Sequence, residues 1–298
     1  MPTNPARFDP TALARYGRLS MIARSVVEGF LTGVHKSPYK GFSIEFAEHR
    51  QYYPGDEIRH IDWRAYGKTD RYYVKEYEEE TNLKAYLLVD ASGSMGYRGK
   101  GLSKFEYAQQ VAASLAYLML NQLDAVGLMT HDDKVRQFLP PKANSKHLIH
   151  LLTNLEDTQP GGETSLAPLW NELAGQARRR GLIIILSDCF DKIGPLTHAL
   201  RRFRHQKHEV WLFHTLAPEE MEFPFKKWTK FRSLENAGHK LVDAQQLRKH
   251  YLENFRNFCK QLRDQCTQMQ IDYHLMRTDE PVDRALGIYL TKRQRSRS

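Results

Sequence analysis

Leu182-Ile183-Ile184-Ile185-Leu186 is a run of aliphatic residues with no polar alternation. A strand reads this way when both of its faces are covered, as in the centre of a parallel sheet flanked by helices. The segments around it alternate in type. Residues 85–90 read as a buried strand. Residues 103–121 read as a helix, with Phe105, Ala108, Val111, Ala112, Leu115 and Leu118 on one side. Residues 125–130 and 134–139 read as strands joined by the turn His131-Asp132-Asp133. Helices are expected at 144–155 and 165–180. After the aliphatic strand come a helix at 195–204, a strand at 209–213, a helix at 244–267 and a strand at 271–276. This alternation predicts an α/β fold: a three-layer, doubly wound, mostly parallel sheet of Rossmann type with right-handed crossovers.

The first third of the chain reads differently. Asp9-Pro10 looks like a helix cap followed by a first-turn proline. Leu13, Tyr16, Leu19, Ile22, Val26 and Phe30 then recur at near-helical spacing until Gly33 and Pro38. From 39 to 80 the pattern becomes β-rich and aromatic. Residues 41–46 and 71–76 alternate like strands, and Tyr53-Pro54-Gly55-Asp56 reads as a turn. The expected organisation is an N-terminal helix at 1–36, a small β-rich attachment at 37–82, the α/β domain at 83–290 and a basic, disordered tail at 291–298.

Composition narrows the function classes. No apolar run approaches the ~20 residues of a membrane span, and residues 1–10 carry no apolar signal core. The three cysteines show no disulfide framework, which fits a reducing cytoplasm. The net charge of +9 is diffuse; some of it lies in Arg178-Arg179-Arg180, Arg201-Arg202-Phe203-Arg204 and Lys292-Arg293-Gln294-Arg295. Such runs can bind nucleic acid; their bland explanation is solvated helix ends, where cations suit the helix dipole.

The chemistry-bearing stretch is Val89-Asp90-Ala91-Ser92-Gly93-Ser94-Met95, between a buried strand and a helix. Asp90, Ser92 and Ser94 form an Asp-x-Ser-x-Ser pattern. Gly161-Gly162-Glu163-Thr164-Ser165 presents Thr164 just before a helix. Ser187-Asp188 ends the aliphatic strand. Ligands of doubly wound sheets sit beyond the carboxyl ends of the strands, where the winding reverses. Two carboxylates and three hydroxyls are hard donors, suited to Mg²⁺ or Mn²⁺. A carboxylate from a partner would complete the coordination sphere. The alternative is that Asp90, Ser92 and Ser94 only cap the following helix.

Asp90-x-Ser92-x-Ser94, Thr164 and Asp188 resemble the five-residue metal-ion-dependent adhesion site of von Willebrand A domains, over about residues 83–289. Upstream, Arg50-x-Tyr52-x-Pro54-Gly55-Asp56-x-x-Arg59-x-Ile61-Asp62-Trp63-Arg64, running into Val74-Lys75-Glu76-Tyr77-Glu78, resembles domain-of-unknown-function family fifty-eight. That resemblance implies a bacterial protein that works beside a MoxR-type AAA+ ATPase as an adaptor. It further implies a Mg²⁺ site gripping an acidic residue of the partner, without catalysis by the chain itself. Many members carry N-terminal membrane spans, from which this chain departs. Glu163 is a second departure: beside a metal it either points to solvent or adds negative charge. Arg59, Asp62, Trp63 and Arg64 read either as an ion-pair and stacking cluster or as a second partner-binding face.

Two other classes compete. A metal-dependent hydrolase or nuclease would need a base or nucleophile near the ion, and His214, Cys189 and Asp191 stand at the same rim. A nucleic-acid binder would draw on the basic runs. No Walker A loop is present, so ATP hydrolysis is expected of the partner. His198, His205 and His208, without paired cysteines, read as surface residues and not as a zinc site.

Overall fold

Six strands form the main sheet in the order β5-β4-β3-β6-β7-β10. These are β3 (Lys84–Asp90), β4 (Ala125–His131), β5 (Val135–Lys142), β6 (Leu182–Ser187), β7 (Glu209–Leu216) and β10 (Asp272–Arg277). The first two strands of the chain, β1 (His49–Gln51) and β2 (Tyr73–Lys75), lie outside this sheet. The computed structural model describes residues 17–35, 49–51, 73–75, 83–176, 180–234 and 238–297. All neighbours in the sheet are parallel except β4 and β5, which form an antiparallel pair. Counted along the sheet's own strands, this is the 3-2-1-4-5-6 order of doubly wound folds, with the winding reversed between β3 and β6.

The helices cover both faces. On one side α1 (Gly17–His35), α2 (Lys104–Asn121), α3 (Ser145–Asp157) and α8 (Asp283–Arg297) pack with Leu87, Val89, Ile184, Leu186, Trp211 and Phe213. On the other side α4 (Leu166–Gln176), α5 (Ile193–His205) and α7 (Ala244–Gln268) pack with Leu88, Ile183, Ile185, Val210 and Leu212. Alternate residues of β6 therefore enter opposite cores, which is why Leu182 to Leu186 has no polar position. In α1, Leu19, Ala23 and Val27 are buried at helical spacing. Its first turn is held by the Leu19 N–H on the Glu156 carboxylate of α3.

Contacts divide the chain into residues 1–31 with 83–298, and residues 32–82. In the smaller unit β1 pairs antiparallel with β2, Arg50 opposite Val74. The predicted strand at 71–76 is present as Tyr73–Lys75, and its partner is His49–Gln51. The predicted strand at 41–46, the Asp9-Pro10 cap, the turn at Tyr53 and the Arg59, Asp62, Trp63 and Arg64 cluster lie outside the described residues.

Several elements differ from the sequence reading. The basic tail was expected to be disordered from 291, yet α8 continues to Arg297. Its Ala285, Leu286 and Tyr289 are buried against the core, and that anchorage carries the helix onward. The helix at 244–267 is consequently not the last. β5 extends through Pro140-Pro141 to Lys142, with register shifts against β4; prolines are accommodated on an edge strand. A short helix α6 (Pro218–Glu222) and an antiparallel ribbon of β8 (Trp228–Arg232) and β9 (His239–Asp243) fill the stretch between β7 and α7.

Because Ile184 is fully buried in the central strand, Ile184→Ala should cost roughly 2–5 kcal/mol with an unchanged denaturant slope. Equilibrium urea unfolding checks this.

Candidate metal-binding site

β3 and β6 leave the sheet side by side, with Val89 opposite Leu186. Asp90 thus lies across from Ser187, and Asp188 is one residue further on. Asp90 and Asp188 are both fully buried. One oxygen of Asp90 accepts the Ser92 N–H at 2.9 Å; the other accepts the Ser187 hydroxyl at 2.5 Å. The chain then makes a 3-10 turn over Gly93–Gly96, with Met95 buried beneath it. This sets the Ser92 and Ser94 hydroxyl oxygens 3.1 Å apart. Gly93 is required by crowding: a Cβ there would stand 2.3 Å from the Leu234 backbone oxygen and 3.0 Å from that of Gly162.

The second loop is tied to the first. The Gly161 N–H donates to Ala91 O at 2.9 Å, and the Gly93 N–H donates to Gly162 O at 3.1 Å. Arg136 on β5 holds the loop from outside. It donates to Gly161 O at 2.8 Å and to Asp132 at 2.7 Å. Thr164 is half-buried two residues past this tether and two before the first residue of α4, and Glu163 is exposed. The geometry therefore unites Asp90, Ser92, Ser94 and Asp188, with the Thr164 loop fastened beside them. Of the two options for Glu163, solvent is the one observed. Ser92 and Ser94 do not cap α2; Ser103 does, in a reciprocal capping box with Glu106.

Lys104 is the residue that the sequence reading missed. Its side chain is wholly buried, and its ammonium donates to Asp188 at 2.7 Å and to Glu220 at 2.6 Å. The Phe190 ring lies 4.9 Å from the same nitrogen. Burial opposes the charge, but the two carboxylates outweigh it and hold the lysine above its ordinary pKa. The other oxygen of Glu220 accepts the Ala217 N–H at 2.9 Å, so α6 is fastened to the site through Lys104. A signal was available: a lysine at the first position of a helix opposes the macrodipole, which calls for acidic neighbours.

The candidate catalytic groups all have structural duties. His214 is buried, with one ring nitrogen 2.7 Å from the Tyr273 hydroxyl and the other 2.8 Å from Asp188 O. Burial lowers its pKa to about 4. The Cys189 thiol is fully buried and pushed well up by that burial. Asp191 accepts the Leu166 N–H at 3.1 Å at the start of α4. His208, read as a surface residue, is buried and accepts the Gly181 N–H at 3.2 Å.

Asp188 and Glu220 pair with the one ammonium, and Asp90 adds a third carboxyl beside Asp188, which leaves two negative charges when all are ionised. Burial first, and Asp188 second, raise the Asp90 pKa to about 7. A buried acid under that pressure, beside two hydroxyl oxygens, suits a hard dication. Asp90, Ser92, Ser94, Thr164 and Asp188 would hold it.

The model of the family described as protein of unknown function DUF58 matches residues 48–260. The chain belongs to the DUF58 family. An uncharacterized protein of Mycobacterium tuberculosis is 26% identical to this DUF58 chain over 221 residues, covering 72% of this chain and 68% of the other. The uncharacterized protein YeaD of Bacillus subtilis is 27% identical over 106 residues, covering 36% of this chain and 24% of YeaD. Among solved structures, an aerotolerance-related membrane protein of Bacteroides fragilis is 17% identical with a TM-score of 0.47, covering 70% of this chain and 97% of that one. The VWA domain of SpRpn10 is 13% identical with a TM-score of 0.42, covering 68% and 93%. At that distance the fold stands on its own strand order. Among the described residues no helix is long and apolar enough to cross a membrane.

Two outcomes follow from these charges. Lys104→Met strands two buried carboxylates and should cost roughly 3–5 kcal/mol. Adding Asp188→Asn should recover part of that loss, which a double-mutant cycle in urea measures. The raised Asp90 pKa means that the folded state binds this proton more tightly than the unfolded chain does. Metal-free stability should therefore fall as pH rises from about 4 to about 7. In EDTA, Asp90→Asn should match the wild type near pH 4 and exceed it at pH 8 by at least about 1.4 kcal/mol, one pKa unit's worth.

Proposed function

We propose that this DUF58 chain is a metal-dependent protein-binding module that holds Mg²⁺ or Mn²⁺ and captures an acidic residue of a partner. The observation that carries this reading is the convergence of buried Asp90 and Asp188 at the winding reversal, beside the Ser92 and Ser94 hydroxyls, with Lys104 paired to Asp188. Ser92, Ser94 and Thr164 supply hydroxyl ligands. Asp90 and Asp188 supply charge, directly or through water, and Asp90 orients the Ser92 turn. Bound there, the ion supplies an electrophilic point of attachment for a carboxylate. Lys104 neutralises part of the acidic cluster and keeps Asp188 from turning away.

The partner is a MoxR-type AAA+ ATPase or its client, in keeping with the family resemblance, and the chain acts as an adaptor without turning over a substrate. The structural duties of His214, Cys189 and Asp191 support that part of the reading.

Calorimetric titration of the full chain with MgCl₂ and MnCl₂ tests it. Saturable binding is expected, weakened at least about tenfold in Asp90→Asn and in Ser92→Ala/Ser94→Ala, a loss of about 1.4 kcal/mol. Asn is preferred to Ala at position 90 because the Ser92 N–H and Ser187 hydroxyl need an acceptor. A wild-type chain that is folded yet shows no saturable response to either metal would refute the reading. In magnesium, capture of a co-expressed AAA+ ATPase should be lost in Asp90→Asn.

A further inference from the structure

The β8–β9 ribbon carries an outward face that nothing described so far uses. Residues at positions 228, 230 and 232 of β8 share one face, with 241 and 239 of β9 opposite Lys230 and Arg232. The inner face packs Phe231 against Phe223 and Phe225. The outer face shows Trp228 at 69% exposure and Leu241 at 63%, among exposed Lys230, Arg232 and His239. Among the described residues neither Lys230 nor Arg232 has an acidic partner. Asp243, at the base of the ribbon, is engaged in capping α7 through the Gln245 N–H at 3.0 Å. A large indole and a leucine left in water beside cations that have no acidic partner among the described residues are an unfavourable surface unless something covers them.

The ribbon also stands next to the candidate metal. Leu234, just past β8, brings its backbone oxygen against Gly93 of the Asp90 turn. A segment lying on the ribbon could therefore reach the metal site with a neighbouring residue.

We propose that the outward face of the β8–β9 ribbon docks an acidic, aliphatic-bearing protein segment: its carboxylates pair with Lys230 and Arg232 and its apolar side chains cover Trp228 and Leu241. Charge complementarity selects the acidic character. Leu241 selects protein over nucleic acid, because bases and phosphates gain little from an aliphatic side chain. The inference deepens the proposed function, since it rests on that reading for the adjacent carboxylate on the metal and names the chemistry of the partner around it.

Fluorescence anisotropy with the full chain tests it. The probe is a short, end-capped, labelled peptide of Glu, Asp and Leu; the comparators are its Gln, Asn and Leu counterpart, labelled oligothymidine and phosphatidylglycerol vesicles. The acidic peptide should bind in EDTA and more tightly in magnesium. Both Trp228→Ser/Leu241→Ser and Lys230→Glu/Arg232→Glu should weaken it at least about tenfold in either buffer, with the melting temperature and magnesium isotherm unchanged. Asp90→Asn should remove only the gain from magnesium. Wild-type affinity in both ribbon variants would overturn the proposal, as would ribbon-dependent binding of oligothymidine or vesicles without binding of the peptide. If magnesium adds nothing while the ribbon variants still lose the peptide, the metal reading fails and the ribbon assignment stands.

Discussion

The buried ammonium of Lys104 is what allows the carboxyl end of this sheet to exist as it does. Asp90 and Asp188 are brought side by side by the pairing of β3 with β6, and Glu220 arrives from α6, just after β7. Three acids without a cation would repel one another in a medium that screens poorly. Removing two charges from water is itself costly, and the lysine repays it only because the geometry is close on both sides. The ion pair is therefore better understood as a device for order than for stability. It fixes Asp188 and ties α6 to the Asp90 turn's surroundings.

Much of the fold was legible because burial imposes periodicity. Leu182 to Leu186 could only be a doubly covered strand, and the repeat of Phe105, Ala108, Val111, Ala112, Leu115 and Leu118 could only be one helix face. The Asp90, Ser92 and Ser94 spacing was equally readable, since it follows a strand and precedes a cap. What escaped was set by contacts distant in sequence. The Trp228–Asp243 ribbon has strands too short and too charged to announce themselves. In α8 the basic run at Lys292 obscured a helix whose hold on the core is made earlier, at Ala285, Leu286 and Tyr289. Lys104 went unremarked because its partners lie 84 and 116 residues away.

The site also shows how a loop can be made rigid without regular structure. Backbone bonds from Gly161 to Ala91 and from Gly93 to Gly162 lace two loops together, and Arg136 clamps the pair against Asp132. Rigid donors lose little freedom when they take up a ligand. Such a construction suits recognition, where geometry must precede the partner. His214, whose ring nitrogens meet Tyr273 and the Asp188 backbone, is neutral because burial outweighs the pull of that backbone carbonyl toward the protonated form.

Pro140 and Pro141 have a consequence for association. They lie on β5, one margin of the sheet, where a proline offers no N–H to an incoming strand and the register shift against β4 disturbs the ladder. Templated growth by a second polypeptide is disfavoured along that stretch of the margin. The opposite margin, β10, carries no proline between Asp272 and Arg277. The two margins therefore differ: a strand added along β5 would meet two residues without an N–H, and one added along β10 would meet none between Asp272 and Arg277.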